Sequence, residues 1–409
     1  MKTAEVVVST ERYNRKKDAI VAAATAILNR EGARGMTLAD VAASVGLITT
    51  SVTYYFKKKE DLAVACFLRA IERLDALITE ASAPSDPRER VRRLLENYFA
   101  LDRRIREGEE APIAVFSDVR SLNEPYLSQV NEPYGKLFRK TRALLQAPGA
   151  DAMDRSNATA RTHMLLEQLY WSVAWLPRFE TEDYPRILER MYDILLNGLA
   201  TNGAVWEPRI LPGIDPEAPD AQSALRETFL VSATRLINQR GYRGASVERI
   251  SEQLNVTKGS FYHHNDAKDD LVVTCFDRTF AIMRRAQSMA MLEPGTWWDK
   301  LSAAAATLAE FQLSERGPLL RTSALSALPE PIRYDMVERS NRVSGRFAGM
   351  ISDGIAERTI RAVDPFVAAQ MLNATLNASS SVGTMLPGVT PAEAAGLYAR
   401  PLLMGLFVR

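Results

Sequence analysis

The chain has 409 residues, 46% hydrophobic and 25% charged, with a net charge of +1. This balance fits about two or three ordinary globular domains and excludes a uniformly basic nucleic-acid coat, so any charge that grips a polyanion must be local. No apolar run approaches the roughly 18 residues needed to span a bilayer, and residues 1–17 carry charges where a signal peptide needs an apolar core, so the expectation is a cytoplasmic protein with no membrane partner.

Residues 1–17 read as a basic N-terminal arm ending in Arg12-x-x-Arg15-Lys16-Lys17. In Ala19–Leu28 the apolar positions line one helical face, and the turn Gly32-x-x-Gly35-x-Thr37 follows. Thr37, with Asp40 three residues on, predicts an N-cap for a short helix Leu38–Ser44, because hydroxyl and acid together satisfy its orphan amides. Gly46 permits the left-handed backbone of a tight turn, and a second short helix is expected from about Thr49 to Tyr55. Val41, Val45 and Leu47 would pack the pair together, with Tyr55 and Phe56 as core. Such a pair is a helix-turn-helix, whose second member lies in a DNA major groove; the head is placed at 18–62.

A longer helical region is expected over 63–205, with an apolar stripe in Arg90–Leu101. His163 sits at helical spacing with Tyr170, Trp171 and Trp175. This aromatic and polar mixture suits a ligand cavity, although the same stripe also reads as plain core. Glu207–Asp220 carries four prolines and breaks the helical pattern, marking a linker at 206–220.

The pattern then returns. Gly241-x-x-Gly244-x-Ser246 and the segment through Phe276 repeat the first head 209 residues on without a gap. Lys59, Asp61, Leu62, Cys66 and Phe67 fall on Lys268, Asp270, Leu271, Cys275 and Phe276. Pro112 and Leu122-x-Glu124-Pro125 recur as Pro318 and Leu328-x-Glu330-Pro331, and Leu195–Leu199 recurs as Leu402–Leu406. A repeat this long is a duplicated domain rather than a solenoid unit. The second head is placed at 221–271 and the second helical regulatory domain at 272–409. The two cysteines hold equivalent positions and are read as buried thiols rather than a disulfide.

Thr37-x-x-x-Val41-Ala42-x-x-x-Gly46-Leu47, Ser51-x-x-Tyr54-Tyr55-Phe56 and Lys59-Glu60-Asp61-Leu62 resemble the TetR family of one-component bacterial regulators. Val256-Thr257-Lys258-Gly259-Ser260-Phe261-Tyr262-His263-His264 and Lys268-Asp269-Asp270-Leu271 carry the same resemblance in the second copy. It implies an all-α chain of two units, each a three-helix head followed by a larger helical ligand and dimerisation domain. It also implies DNA contacts from Thr37, Thr49, Thr50, Ser51, Thr53, Tyr54 and Lys59, and from Ser246, Lys258, Gly259, Ser260, Tyr262, His263 and Lys268, whose hydroxyls and ammonium groups suit phosphate and base edges. The closing helices Asp154–Phe179 with Asp183–Ala200, and Asp364–Met385 with Pro391–Phe407, resemble the family's dimerising pair. In one chain they would form an intrachain pseudo-dimer, open to further self-association.

The copies differ. Thr50 and Thr53 stand where the family usually has Gly and Tyr, and Asn265 stands where Phe56 stands in the first copy. Residues 12–69 hold ten Lys/Arg and five Asp/Glu, net +5, whereas 221–278 hold eight and seven, net +1. The first head is therefore expected to anchor on phosphate. Three histidines, no Glu-x-x-His pair, no zinc spacing and no nucleotide loop give enzyme readings no support, and neither metal nor cofactor is expected. The expected function is ligand-responsive transcriptional regulation, most simply repression, with a DNA operator and an unidentified small-molecule effector as partners. The alternative is a helical ligand-binding or scaffold protein that keeps the fold without operator binding.

Overall fold

A computed structural model of the chain describes residues 2–147, 153–214, 220–244 and 268–408, together with Glu252. In the first half, α1 (Lys2–Gly35), α2 (Leu38–Ser44) and α3 (Thr49–Tyr55) form the head. The body follows as α4 (Lys59–Ala81), α5 (Pro87–Arg106), a 3-10 segment Phe116–Ser121, α6 (Tyr126–Leu144), α7 (Arg155–Trp175) and α8 (Tyr184–Asn197). The second half supplies α9 (Ala221–Gly244), α10 (Lys268–Leu292), α11 (Trp297–Phe311), a 3-10 segment Thr322–Ala327, α12 (Glu330–Glu357) and α13 (Pro365–Ser379). A short helix Val382–Met385 leads to α14, which runs through Pro391–Ala394, a π-helical turn Ala395–Ala399 and Arg400–Met404. Among the described residues the architecture is all-helical, apart from one isolated bridge between Ala200 and Ile360.

The basic stretch 2–17 runs into α1 without a break, so arm and first helix are one rod. Ile20, Val21, Ala24, Ile27 and Leu28 form its buried stripe, at the helical spacing that buries one face. Asp86 caps α5 by accepting from the Arg88 amide, with Pro87 at the first helical position, where its missing N–H costs nothing.

The two halves meet through α7 and α13. Both are buried around nearly their whole circumference, as expected of a helix with neighbours on every side. Gln168 Nε2 donates to the Met371 carbonyl (2.9 Å) and to Thr375 Oγ1 (3.0 Å). Trp171 Nε1 donates to Gln370 Oε1 (3.1 Å), and Arg190 pairs with Asp364 at 2.5 Å. At the chain ends of the two halves the backbones touch. Leu199 N–H donates to the Leu403 carbonyl and Leu406 N–H to the Leu195 carbonyl, each at 2.7 Å. Gly198 (φ 65) and Gly405 (φ 114) make this approach possible. A Cβ on Gly198 would lie 2.3 Å from the Leu403 oxygen, and one on Gly405 would lie 2.6 Å from the Leu196 oxygen.

The stretch read as a linker packs onto the second half. Leu211 and Ile214 are buried, the Leu211 amide donates to Thr307 Oγ1 (3.0 Å), and Trp298 Nε1 donates to the Val205 carbonyl (3.1 Å). Residues 215–219 lie outside the described residues. Cys66 and Cys275 are free and buried, and their thiols point to the equivalent carbonyls of Val21 and Leu230.

Candidate nucleic-acid interface and an internal cavity

In the first head, Thr37 Oγ1 accepts from the Asp40 amide (3.1 Å) and donates to the Asp40 carboxylate (2.5 Å). Gly46 takes the left-handed conformation (φ 67) at the turn, while Val41 and Val52 are fully buried and lock α2 against α3. Phe56 is buried and Tyr55 packs against the core. This leaves one face of α3 outward: Thr37, Thr49, Thr50 and Tyr54 are exposed, and Ser51, Thr53 and Lys59 are half-buried. The Thr53 hydroxyl donates to the Thr50 carbonyl (3.0 Å), so within the helix it already has a partner. Asp61 accepts from the Lys58 amide (3.0 Å), capping α4.

Ile48, 71% exposed just before α3, was not singled out by the sequence. Where such a helix enters a major groove, a large apolar side chain beside it is of the kind that meets a thymine methyl. The basic end of α1 lies against the same face. Tyr13 contacts Tyr54 (6.2 Å between ring centroids) and Tyr55 (4.8 Å), and Lys17 Nζ lies 5.9 Å from the Phe56 ring. Arg12, Arg15, Lys16 and Lys17 are all exposed. The head thus presents hydroxyls and an aromatic edge on α3, with Tyr13 and Lys17 of the basic end of α1 packed beside them. In the second head, Ser246, Lys258, Gly259, Ser260, Tyr262 and His263 lie outside the described residues, and Lys268 opens α10.

A cavity of about 460 Å³ lies between the halves. His163, Tyr170, Trp171 and Trp175 all line it, so the structure brings together the four residues that the sequence grouped on one helix. They are joined by groups the sequence did not bring together: Arg120 and Glu167, with Asn238 and Arg321 from the second half. His163 shares a 3.1 Å hydrogen bond with Tyr398 OH in the π-helical turn. Burial, with Arg321 and Arg120 nearby, pushes its imidazole down to about 3, so it is neutral near pH 7. Phe116 stands over the Tyr134 and Tyr170 rings at 5.2 and 5.6 Å between centroids.

The cavity also borders the segments to which the head helices are bonded. Asn29 of α1 donates to the Ile113 carbonyl and accepts from the Val115 amide, both at 2.9 Å. Asn238 of α9 repeats this with the Leu319 carbonyl (2.8 Å) and the Arg321 amide (3.0 Å). Val115 and Arg321 both line the cavity. Arg120 in addition donates from Nη1 to the Asn238 carbonyl, tying the first half to the first helix of the second head.

Among the described residues no cluster of ligating side chains fits a metal, and no helix is long and apolar enough to cross a membrane.

Residues 20–66 and 229–275 each match the family described as bacterial regulatory proteins, tetR family. The Tn10 TetC protein of Escherichia coli is 24% identical over 149 residues, covering 36% of this chain and 74% of that protein. The HTH-type transcriptional regulator BetI of Rhizobium meliloti is 27% identical over 110 residues, covering 27% of this chain and 54% of that relative, little over half its length. Among solved structures, apo AibR (19% identity, TM-score 0.35) covers 42% of this chain and 93% of its own. The TetR family transcriptional regulator PfmR from Thermus thermophilus (20% identity, TM-score 0.37) covers 44% of this chain and 98% of its own.

Proposed function

We propose that this chain, which carries two TetR-type units in tandem, is a sequence-specific DNA-binding transcriptional regulator acting as an intrachain pseudo-dimer. The observation that carries the reading is the placement of one cavity against the segments that hold both head helices, through Asn29 and Asn238. Heads mounted on a common body can read two half-sites about 34–36 Å apart, one duplex turn. Because the two heads differ in sequence and charge, the half-sites need not match.

A small molecule in the cavity would press on Val115, Phe116, Arg321 and Asn238, and so change the angle at which the heads leave the body. Its effect on DNA binding equals its differential affinity for the two head arrangements. If the empty arrangement fits the operator, the protein is a repressor released by its ligand. The proposed DNA contacts are the exposed Thr37, Thr49, Thr50 and Tyr54 with Ser51, Thr53 and Lys59 beside them, and their second-head equivalents.

The test is selection of bound fragments from random DNA by the purified chain near physiological salt, with its mass measured in solution. The reading expects one two-part site enriched by a single chain. Absence of enrichment without added ligand would favour a ligand-binding scaffold. Enrichment only by a dimer of chains would remove the pseudo-dimer.

A further inference from the structure

We propose that the cavity accepts a hydrophobic monocarboxylate, with its carboxylate between Arg120 and Arg321 and its apolar body on the aromatic wall. This deepens the ligand-responsive reading above and rests on it.

Among the described residues, the charged side chains lining the cavity are Arg120, Arg321 and Glu167. With His163 held neutral, two guanidinium groups among the described residues face one carboxylate, leaving one positive charge unbalanced in a cavity only partly open to water. Uncompensated charge away from bulk water is costly, and a bound counter-ion relieves it. The hydrogen bonding leaves the same gap. Arg321 Nη1 donates to Ser381 Oγ (2.9 Å), but Nη2 stands 3.6 Å from Glu167 Oε2, beyond good hydrogen-bond distance. Its Nε is buried without an acceptor. The other Glu167 oxygen is taken by Asn377 Nδ2. Enclosure by protein and repulsion from Arg321 push Arg120 down to about 10. Arg120 itself is exposed and lines the cavity.

A carboxylate matches this gap. It brings one negative charge and two coplanar acceptors that suit a guanidinium fork. A cation would add to the excess, and a dianion would overshoot it. Phe116, Tyr134, Tyr170 and Trp171 supply the apolar remainder, and a volume of about 460 Å³ lies within the range of small-molecule sites.

The repeat shows where this chemistry arose. By the spacing that aligns Pro112 with Pro318, Val115 stands opposite Arg321 and Ser326 opposite Arg120. Aligning Asp154 with Asp364 puts Asn377 opposite Glu167. The cavity inside the second half, beside Phe276, Met283 and Asn373, is about 30 Å³ and has no charged side chain among its described lining residues, room for about one water. One carboxylate per chain is therefore expected.

The experiment uses the full chain and the neutral fluorescent probe N-phenyl-1-naphthylamine, displaced by octanoate, 1-octanol or octylamine. Octanoate should displace the probe at about tenfold lower concentration than octanol, the scale of a charge-assisted hydrogen bond, with octylamine weakest and one site per chain. Arg321→Gln and, independently, Arg120→Gln should each remove most of the preference of octanoate over octanol. A bound probe displaced equally by octanoate and octanol overturns the carboxylate assignment while leaving the cavity reading intact. A probe that never binds overturns both.

Discussion

Asn29 and Asn238, 209 residues apart, hold their head helices to the body with the same two hydrogen bonds. In each case the side-chain amide spans a carbonyl and an N–H two residues apart, in the strand-like segment just before a 3-10 turn. Asparagine in a helix interior is poorly placed by propensity alone. Its presence at one position of both copies is explained by this bracket.

Replacing Asn238 with Leu should therefore leave the Leu319 carbonyl and the Arg321 amide without partners. Each stranded buried group costs about 1–3 kcal/mol, so urea unfolding should shift by a few kcal/mol, and DNA affinity should fall with it as the second head loses its seat. An unchanged urea midpoint and unchanged affinity would remove the bracket from the mechanism.

The joint between the halves gives a sharper steric test. Gly198→Ala places a methyl 2.3 Å from the Leu403 oxygen in a left-handed conformation, whereas Gly203, also left-handed (φ 85), has open space around it. Both substitutions carry the backbone penalty of about 1 kcal/mol. Only Gly198→Ala must also push the halves apart, so it should cost at least about 2 kcal/mol more than Gly203→Ala in denaturant titration. Equal effects would mean the joint yields at no cost.

The charge hierarchy between the heads is tested by neutralising Arg15, Lys16 and Lys17 to Gln. All three are exposed, so folding should be unaffected. Each lost phosphate contact lowers the slope of log affinity against log salt by about 0.9, and a drop of about 2–3 is expected. If affinity and slope stay the same, the first head is not the electrostatic anchor.

The first head was legible because it is local. Thr37, Val41, Gly46 and the face of α3 are fixed by residues within about twenty positions of one another, and capping and turn chemistry act at that range. Ile48 escaped because an exposed apolar residue at a helix entry carries no periodic signal. Four of the cavity's aromatic and imidazole groups, His163, Tyr170, Trp171 and Trp175, share one helix, so their spacing could be read. Arg120 and Arg321 come from opposite halves and break the repeat, and no pattern along the chain places them face to face. The meeting of α7 with α13 was visible in the closing helices. The contact of Gly198 with Leu403 was not, since it depends on where two chain ends approach.

His163 offers a proton-linked test of the cavity's enclosure. The unfolded imidazole titrates near its ordinary value of 6.5, and the folded one near 3. Between those values the unfolded chain binds a proton that the native chain refuses, so this group's contribution to stability is complete above about pH 6.5 and is lost as pH falls toward about 3. At pH 4.5 the loss is about 2–3 kcal/mol by the linkage relation. Carboxylates titrate in the same range, so the measurement is a difference between the native chain and His163→Asn, which borrows the residue found at the equivalent position, Asn373. Denaturant midpoints at pH 7.5 and 4.5 should fall less in the variant. If both proteins lose the same stability over that interval, His163 is protonated in the folded protein, and the cavity beside Arg120 and Arg321 is open enough to admit its counter-ion.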